Sequence, residues 1–416
     1  MKNSNQASLV PSKKGITRRE GMMLTVLGSA LLMAGCGGGG GGTTTAAGTT
    51  GGVAGSSASG AITGFGSIIV GGVRYDDSTA TSIKDDDDVT RTSKELKMGM
   101  VVKIKGGKKY KDGASTKASC DSIEVHSELV GPIDSFIDTT AAKSIVVLGQ
   151  TVDIPATTFF DDGLTFASLV AGNVTSKVVE VYGFVDPITK ALVATRVELK
   201  ATPKAFKLQG PISALNTVTK TFKIGSLVIA YTDLVVTPNL VLKDGLVVRV
   251  RLDITPLTGT RTALKIRAPE NKHDDSDEAE VEGFITAFTS NALFSVNGLV
   301  VNTSATTKFD YPVGTMLKVG DRVEVEGSIV NGVLVAKKVE LEGGEDAAKF
   351  ELHGTLSLLN TTAKTFVLRG VTVNYGSATF AIGVTALTLA NGINIEVKGK
   401  GSAGNVIVAT QISLDR

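Results

Sequence analysis

Leu317-Lys318-Val319-Gly320-Asp321-Arg322-Val323-Glu324-Val325-Glu326 is the stretch on which the reading of this chain turns. From Asp321 the charged and apolar residues alternate strictly, the period of two expected of a β-strand with one apolar and one wet face. Downstream, Asn331-Gly332 turns the chain into Val333 to Leu341. Upstream, Val281 to Phe288 alternates in the same way, and Phe294 to Val296, Asn297-Gly298 and Leu299 to Asn302 read as a hairpin. Asn-Gly suits the type I′ turn that strand twist favours. The segment therefore holds five strands, with a connection of about 16 residues between the third and the fourth.

That unit recurs. Glycines preceding an apolar alternation stand at Gly60, Gly131, Gly210, Gly283 and Gly354, spaced 71, 79, 73 and 71 residues apart. A second glycine in a Leu-rich turn stands at Gly99, Gly172, Gly245, Gly320 and Gly392, spaced 73, 73, 75 and 72. Two landmarks keeping one register define five repeats. Their period exceeds the ~20 to 50 residues of solenoid coils, so each repeat is a small domain. The boundaries are 59–127, 128–204, 205–278, 279–347 and 348–416. Modules of ~70 residues bury only about 60% of their unfolded surface, which makes neighbours lean on one another. Copies 1 and 2 join almost directly at His126 to Glu128, whereas Pro269 to Glu278 reads as a linker where bending is expected.

The strand order resembles the OB fold, a five-stranded Greek-key barrel with an optional helix between strands 3 and 4. The whole pattern resembles a tandem β-domain family of unknown function found in bacterial lipoproteins and secreted proteins. The fold expected is all-β, five tandem OB-like barrels. The resemblance rests on turn glycines and strand alternation and assigns no functional residue.

Residues 1–35 read as a lipoprotein signal peptide. Lys2, Lys13, Lys14, Arg18 and Arg19 precede an apolar stretch from Gly21 to Ala34, too short for the roughly 20 residues that span a bilayer. It ends in Leu32-Met33-Ala34-Gly35-Cys36, which resembles a bacterial lipobox and implies that Cys36 carries the lipid. Gly37 after the Cys, in place of a retaining Asp, implies the outer membrane. Arg18-Arg19 resembles part of a twin-arginine signal, but Glu20-Gly21 departs from it and favours ordinary secretion. Residues 36–58, rich in Gly, Thr and Ser, read as a flexible tether.

Charge limits the partners. Removing residues 1–35 leaves 38 basic and 40 acidic residues. With no Trp and 5% aromatics, the chain lacks the basic groove and stacking platforms that nucleic acid requires. No Gly-x-Ser-x-Gly, Cys-x-x-Cys or His-Glu-x-x-His occurs, so no catalytic residue, cofactor or metal is assigned. His126, His273 and His353 read as solvated residues at repeat junctions. The acidic runs Asp85 to Asp88 and Asp274, Asp275, Asp277 and Glu278 read as extended loops kept open by repulsion, without the pattern of a calcium loop. Cys120 aligns with Ala194, Ala263, Ala336 and Ala409 and reads as core. Gly64-Phe65-Gly66-Ser67 lacks the third glycine of a dinucleotide fingerprint and reads as tight β-geometry.

One local concentration of charge points to binding. Lys108, Lys109, Tyr110 and Lys111 extend the hairpin between strands 4 and 5 of copy 1, a ligand-binding loop in OB barrels. The chain therefore reads as a non-enzymatic, lipid-anchored envelope protein, a binding or spacer array of barrels. A surface adhesin or subunit engaging a protein or anionic glycan, and an enzyme with an inter-module site, are the alternatives. If Cys36 is the anchor, cells fed a radioactive fatty acid should label the wild type and leave Cys36→Ala unlabelled; equal labelling of both excludes it.

Overall fold

In a computed structural model the described residues are 55–161, 163–255, 259–269, 273–312, 314–342, 349–402 and 405–415. Residues 1–35, expected to be a signal peptide, Cys36 and nearly all of the expected tether lie outside them. Among the described residues no helix is long and apolar enough to cross a membrane.

Repeat 4 forms the expected barrel. Its first strand, Ser276–Ser290, pairs antiparallel with Leu293–Val296, and that strand with Leu299–Asn302. Leu299–Asn302 then runs parallel to the last strand, Val333–Glu342. The fourth strand, Arg322–Val330, pairs antiparallel with both the last strand and the first, which closes the ring in the order 1-2-3-5-4. The two Asn-Gly turns adopt positive φ at both residues, Asn297 (48°) with Gly298 (85°) and Asn331 (52°) with Gly332 (73°). These are the type I′ turns whose twist suits a hairpin. Apolar residues of the alternation turn inward, with Val323, Val325 and Val339 all fully buried.

The other four repeats close in the same way. Their third strands run parallel to their fifth: Val73–Asp76 with Ser115–His126, Gln150–Asp153 with Leu192–Leu199, Leu227–Ala230 with Arg261–Arg267, and Val371–Asn374 with Val406–Leu414. Between strands 3 and 4, repeat 2 spends its connection on the one α-helix among the described residues, Phe166–Val170, which buries Phe166 and Leu169. The turn glycines all sit at positive φ, from 66° at Gly172 to 94° at Gly392, where a side chain would be strained.

A shared irregularity marks the seam between strands 4 and 5. The register shifts at Gly106/Cys120, Gly183/Ala194, Leu252/Ala263, Gly327/Ala336 and Gly399/Ala409. In repeat 4 a Cβ on Gly327 would stand 2.2 Å from the Val335 carbonyl oxygen, so there the backbones meet closely because the side chain is missing, whereas repeat 3 makes its bulge with Leu252. The small partner, Cys120 or Ala, is buried in every repeat, as expected.

The repeats are not beads on a string. Strand Ser56–Ala61 of repeat 1 pairs antiparallel with Val101–Gly106 of its own barrel and parallel with residues 278–281 of repeat 4. Gly64–Phe65 pairs parallel with Glu351 and Leu352 of repeat 5. Repeats 1, 4 and 5 thus share one hydrogen-bonded sheet, and repeats 2 and 3 share another through Val130 and Lys207.

Three expectations are corrected by this joining. Ser56 to Ser59, assigned to the tether or its edge, belong to a strand, and Ser56 is buried. Ser276 to Glu278, assigned to a bending linker, belong to the first strand of repeat 4; residues 270–272 of that linker lie outside the described residues. Asp86, assigned to an open acidic loop, is buried: its carboxylate accepts from Lys207 Nζ at 2.8 Å and pairs with Arg249, and Arg267 donates to its carbonyl at 2.8 Å. All three cations come from repeat 3, so repulsion within the acidic run is replaced by attraction across a junction.

Limited proteolysis should therefore leave one large core from about residue 55 onward rather than single-repeat fragments, because paired strands are cut far more slowly than polar tails. A ladder at multiples of one repeat would contradict the shared sheet.

Candidate functional site

Between the joined barrels lies a half-open cavity of about 550 Å³ lined by repeats 1, 2, 4 and 5. Its repeat 4 wall is the polar face of the alternating strand. Across three neighbouring strands Glu282 opposes Glu324, and Glu324 opposes Glu340, while Arg322 opposes Glu342. The face read as wet is instead roofed by repeat 1. A Cβ on Gly60 would lie 2.8 Å from Glu282 Oε2, and one on Gly71 2.9 Å from the Glu280 Cβ, so these bare positions let the carboxylates in. Glu282 accepts from the Ala61 backbone N–H at 2.9 Å and pairs with Arg322, whose guanidinium stacks 5.0 Å from the Phe184 ring centre. Repeat 5 adds Lys349, Glu351, Lys398 and Lys400 to the lining, with Lys349 Nζ 3.7 Å from Glu340 Oε1.

Crowding carboxylates away from water raises their proton affinity. Burial pushes Glu280 up to about 7 against the pull of Lys109, and pushes Glu342 up to about 7 with help from Glu282. Glu324 is held well above the ordinary carboxylate range by burial and then by Glu280, Glu282, Glu342 and Glu340.

Beside Glu351 lies a second constellation. His353, expected to be a solvated junction residue, is 2% exposed. Its Nδ1 lies 2.9 Å from Asp415 Oδ1 and its Nε2 2.7 Å from Glu351 Oε1. Although burial opposes the charge, these two carboxylates raise the pKa of the ring. Gly66 packs on it; a Cβ there would be 2.3 Å from the His353 Cβ. The Gly64 to Ser67 turn is therefore tight geometry, as expected, with its tightness serving the contact between repeats 1 and 5.

The other singled-out residues divide. Lys109, expected in an exposed ligand loop, is corrected: its Nζ lies 2.7 Å from Glu280 with both side chains nearly buried, and its N–H donates to Glu278 at 2.7 Å. It is a staple between repeats 1 and 4. Lys108, Tyr110 and Lys111 remain exposed, Tyr110 at 58%. His126 Nε2 lies 3.2 Å from Glu124, and burial lowers His273 to about 4. Asp274 pairs with Lys105 and Asp275 accepts from the Gly332 N–H, so the second acidic run is also partnered rather than held open by repulsion. Burial pushes the Cys120 thiol up to about 12, leaving no thiolate for chemistry. What the residue pattern did not flag is the carboxylate row of repeat 4. The signal was present as Glu at matching positions on one face of three strands, without any indication of what covers that face.

The raised glutamates set the pH dependence. Below about pH 4.5 they are protonated in both the folded and unfolded chain; between there and about 7 the unfolded chain loses protons that the folded one keeps. Their contribution to stability thus falls as pH rises through that window. Each tenfold difference in proton affinity between the two states is worth about 1.4 kcal/mol before discounting for residual solvent. Glu342→Gln should flatten the decline by on the order of 1–2 kcal/mol in denaturant titrations at pH 5 and pH 8. An unchanged slope excludes this assignment.

Known proteins place the chain in a family without placing an activity. No curated protein matches it. Among solved structures it is similar to a Drosophila Unr CSD456 structure, 16% identical over 51% of this chain and 96% of that one, with a TM-score of 0.13. It is also similar to a multidomain protein with nucleic acid binding domains from Streptococcus pneumoniae TIGR4, 12% identical over 51% and 71%, with a TM-score of 0.15. Likeness at those TM-scores carries no inference about function. The family model described as Domain of unknown function (DUF5666) matches residues 59–115, 130–198, 282–340 and 353–413. It passes over repeat 3, the one copy with Leu252 where the others have the bulge glycine. Matched in four of its five repeats and over more than half its length, the chain belongs to the DUF5666 family.

Proposed function

We propose that this is a non-enzymatic binding protein of the cell envelope, lipid-anchored through Cys36, in which the five barrels form one body around a ligand site rather than an extended spacer. The observation that carries the reading is the cavity of about 550 Å³ with charged walls drawn from four repeats. Its size falls in the ~300–1,000 Å³ range of small-molecule sites. Single barrels cannot supply it, which gives tandem duplication a purpose. The lining combines Glu324 and Glu342 of repeat 4 with Lys398 and Lys400 of repeat 5, which suits a small polar ligand carrying charge. Binding energy would come from relieving the clustered carboxylates, and specificity from the mixture of acids and lysines in the lining.

A second reading keeps the loop of copy 1. Lys108, Tyr110 and Lys111 still offer exposed aromatic area and positive charge to an anionic glycan or envelope protein, with Lys109 fixing the loop from behind. The two readings separate in one experiment. Thermal shift against amino acids, polyamines, organic acids and monosaccharides should find stabilisation of the wild type that Glu324→Lys removes and Lys108→Ala/Lys111→Ala retains. Stabilisation by none of these classes at millimolar concentration counts against the cavity, and loss only in the lysine variant favours the loop.

A further inference from the structure

The strands Lys349–Asn360 and Asn394–Ser402 bring an imidazole and two carboxylates onto one face of repeat 5. His353 stands directly opposite Glu396, and Glu351 lies two residues from His353 on the same side of its strand. One ligand atom from each of Glu351, His353 and Glu396 lies within 4.8 Å of the others. We propose that these three residues bind a divalent transition-metal ion, of which Zn²⁺ is the best probe, at the edge of the inter-repeat cavity.

An imidazole nitrogen with two carboxylate oxygens is a donor set that suits borderline cations such as Zn²⁺ and leaves a fourth position open. The arrangement around His353 is what distinguishes it from a chance acidic cluster. Asp415 takes the Nδ1 side of the ring at 2.9 Å, which holds the ring plane and leaves Nε2 directed toward Glu351. A carboxylate behind a metal-ligating His commonly plays this orienting part. Glu396 is steadied from its own side by the Ser413 hydroxyl at 3.4 Å. The backbone is held too, since Arg369 donates to the His353 carbonyl at 2.6 Å.

The distances leave a small adjustment. His353 Nε2 and Glu351 Oε1 stand 2.7 Å apart, whereas two ligands of a tetrahedral ion at ~2.0–2.1 Å are separated by about 3.4 Å. Opening by under about 1 Å falls to Glu351, whose side chain is 24% exposed and lines the cavity, so the ion has both room and a route. Charge balance also permits it. Lys398 Nζ already stands among these acids, 3.1 Å from Glu396 and 3.8 Å from Glu351, and its side chain is 45% exposed and able to swing outward. With Lys398 withdrawn, Glu351 and Glu396 lose the ammonium beside them, and a dication takes over its neutralising part. Lys398 is therefore a competitor for the site. The inference rests on repeat 5 alone and does not depend on the cavity binding a small molecule.

Isothermal titration of the full chain in non-ionic detergent should show one Zn²⁺ bound and no comparable heat with Mg²⁺, which demands six oxygen-rich ligands. His353→Gln and Glu396→Gln should each weaken Zn²⁺ at least about tenfold, and Asp415→Asn, which touches no metal, by ~10–100-fold. Lys398→Met should bind as tightly or more tightly, an outcome that loss of a merely structural ion network does not produce. Circular dichroism confirms that each variant is folded, and the partly exposed Glu396 and Lys398 keep the test open if His353→Gln unfolds. The proposal is overturned if the wild type takes up no Zn²⁺ at ~1 mM, if Mg²⁺ competes equally, or if folded Glu396→Gln binds like the wild type.

Discussion

Repeat 1 reaches repeats 2, 4 and 5 through places where it has no side chain. Gly64 meets the Glu351 carbonyl oxygen, where a Cβ would be 2.1 Å away, and Gly99 meets the Thr195 carbonyl oxygen, where it would be 2.4 Å away. Gly60 and Gly71 admit the glutamates of repeat 4, and Gly66 admits His353. Each approach brings backbone or buried polar groups of one repeat within bonding distance of another, and main-chain pairing then satisfies them. Repeat 1 is thereby the hub, in contact with repeats 2, 3, 4 and 5 through Gly99, Asp86, Ser56–Ala61 and Gly64–Phe65.

Burying polar faces has an electrostatic cost that is met unevenly. At the junction with repeat 3, Asp86 is surrounded by Lys207, Arg249 and Arg267. Removing the carboxylate of such a buried group typically costs about 3–5 kcal/mol, so the junction is specific rather than adhesive. At the junction with repeat 4 the balance tips the other way, with Glu280, Glu282, Glu324, Glu340 and Glu342 near one another and Lys109 and Arg322 among the cations set against them. An excess of carboxylate in a partly enclosed space is the kind of imbalance found where a protein trades stability for function.

The barrel was legible because it is written in local spacing. Period-2 alternation located the strands of repeat 4, Asn-Gly located the turns, and the twin glycine registers carried that reading to the other copies. Cys120 was legible for the same reason, by its register with four alanines. The junctions were not. Asp86 and Lys109 sit in runs of like charge, which read as solvated until the opposing repeats supply Lys207 and Glu280. His353 has Glu351 two residues away, but Asp415 is 62 residues distant, a partner that only closure of the barrel brings near. Alternation tells which face of Arg322–Val330 is polar; it cannot tell that another domain covers it.

The edge formed by Ser56–Ala61 also bears on how the chain is made. Ala61 bonds to Glu282 across 221 residues, so in synthesis from the N-terminus the first barrel to emerge waits for the fourth before its outer edge is covered. An uncovered edge strand invites pairing between neighbouring molecules. The stretch Ser-Ser-Ala-Ser-Gly-Ala contains no β-branched or aromatic residue, which makes it a poor template for such association. Its blandness serves biogenesis: the strand stays unattractive to strangers during synthesis and is completed by a late-arriving partner of fitted register.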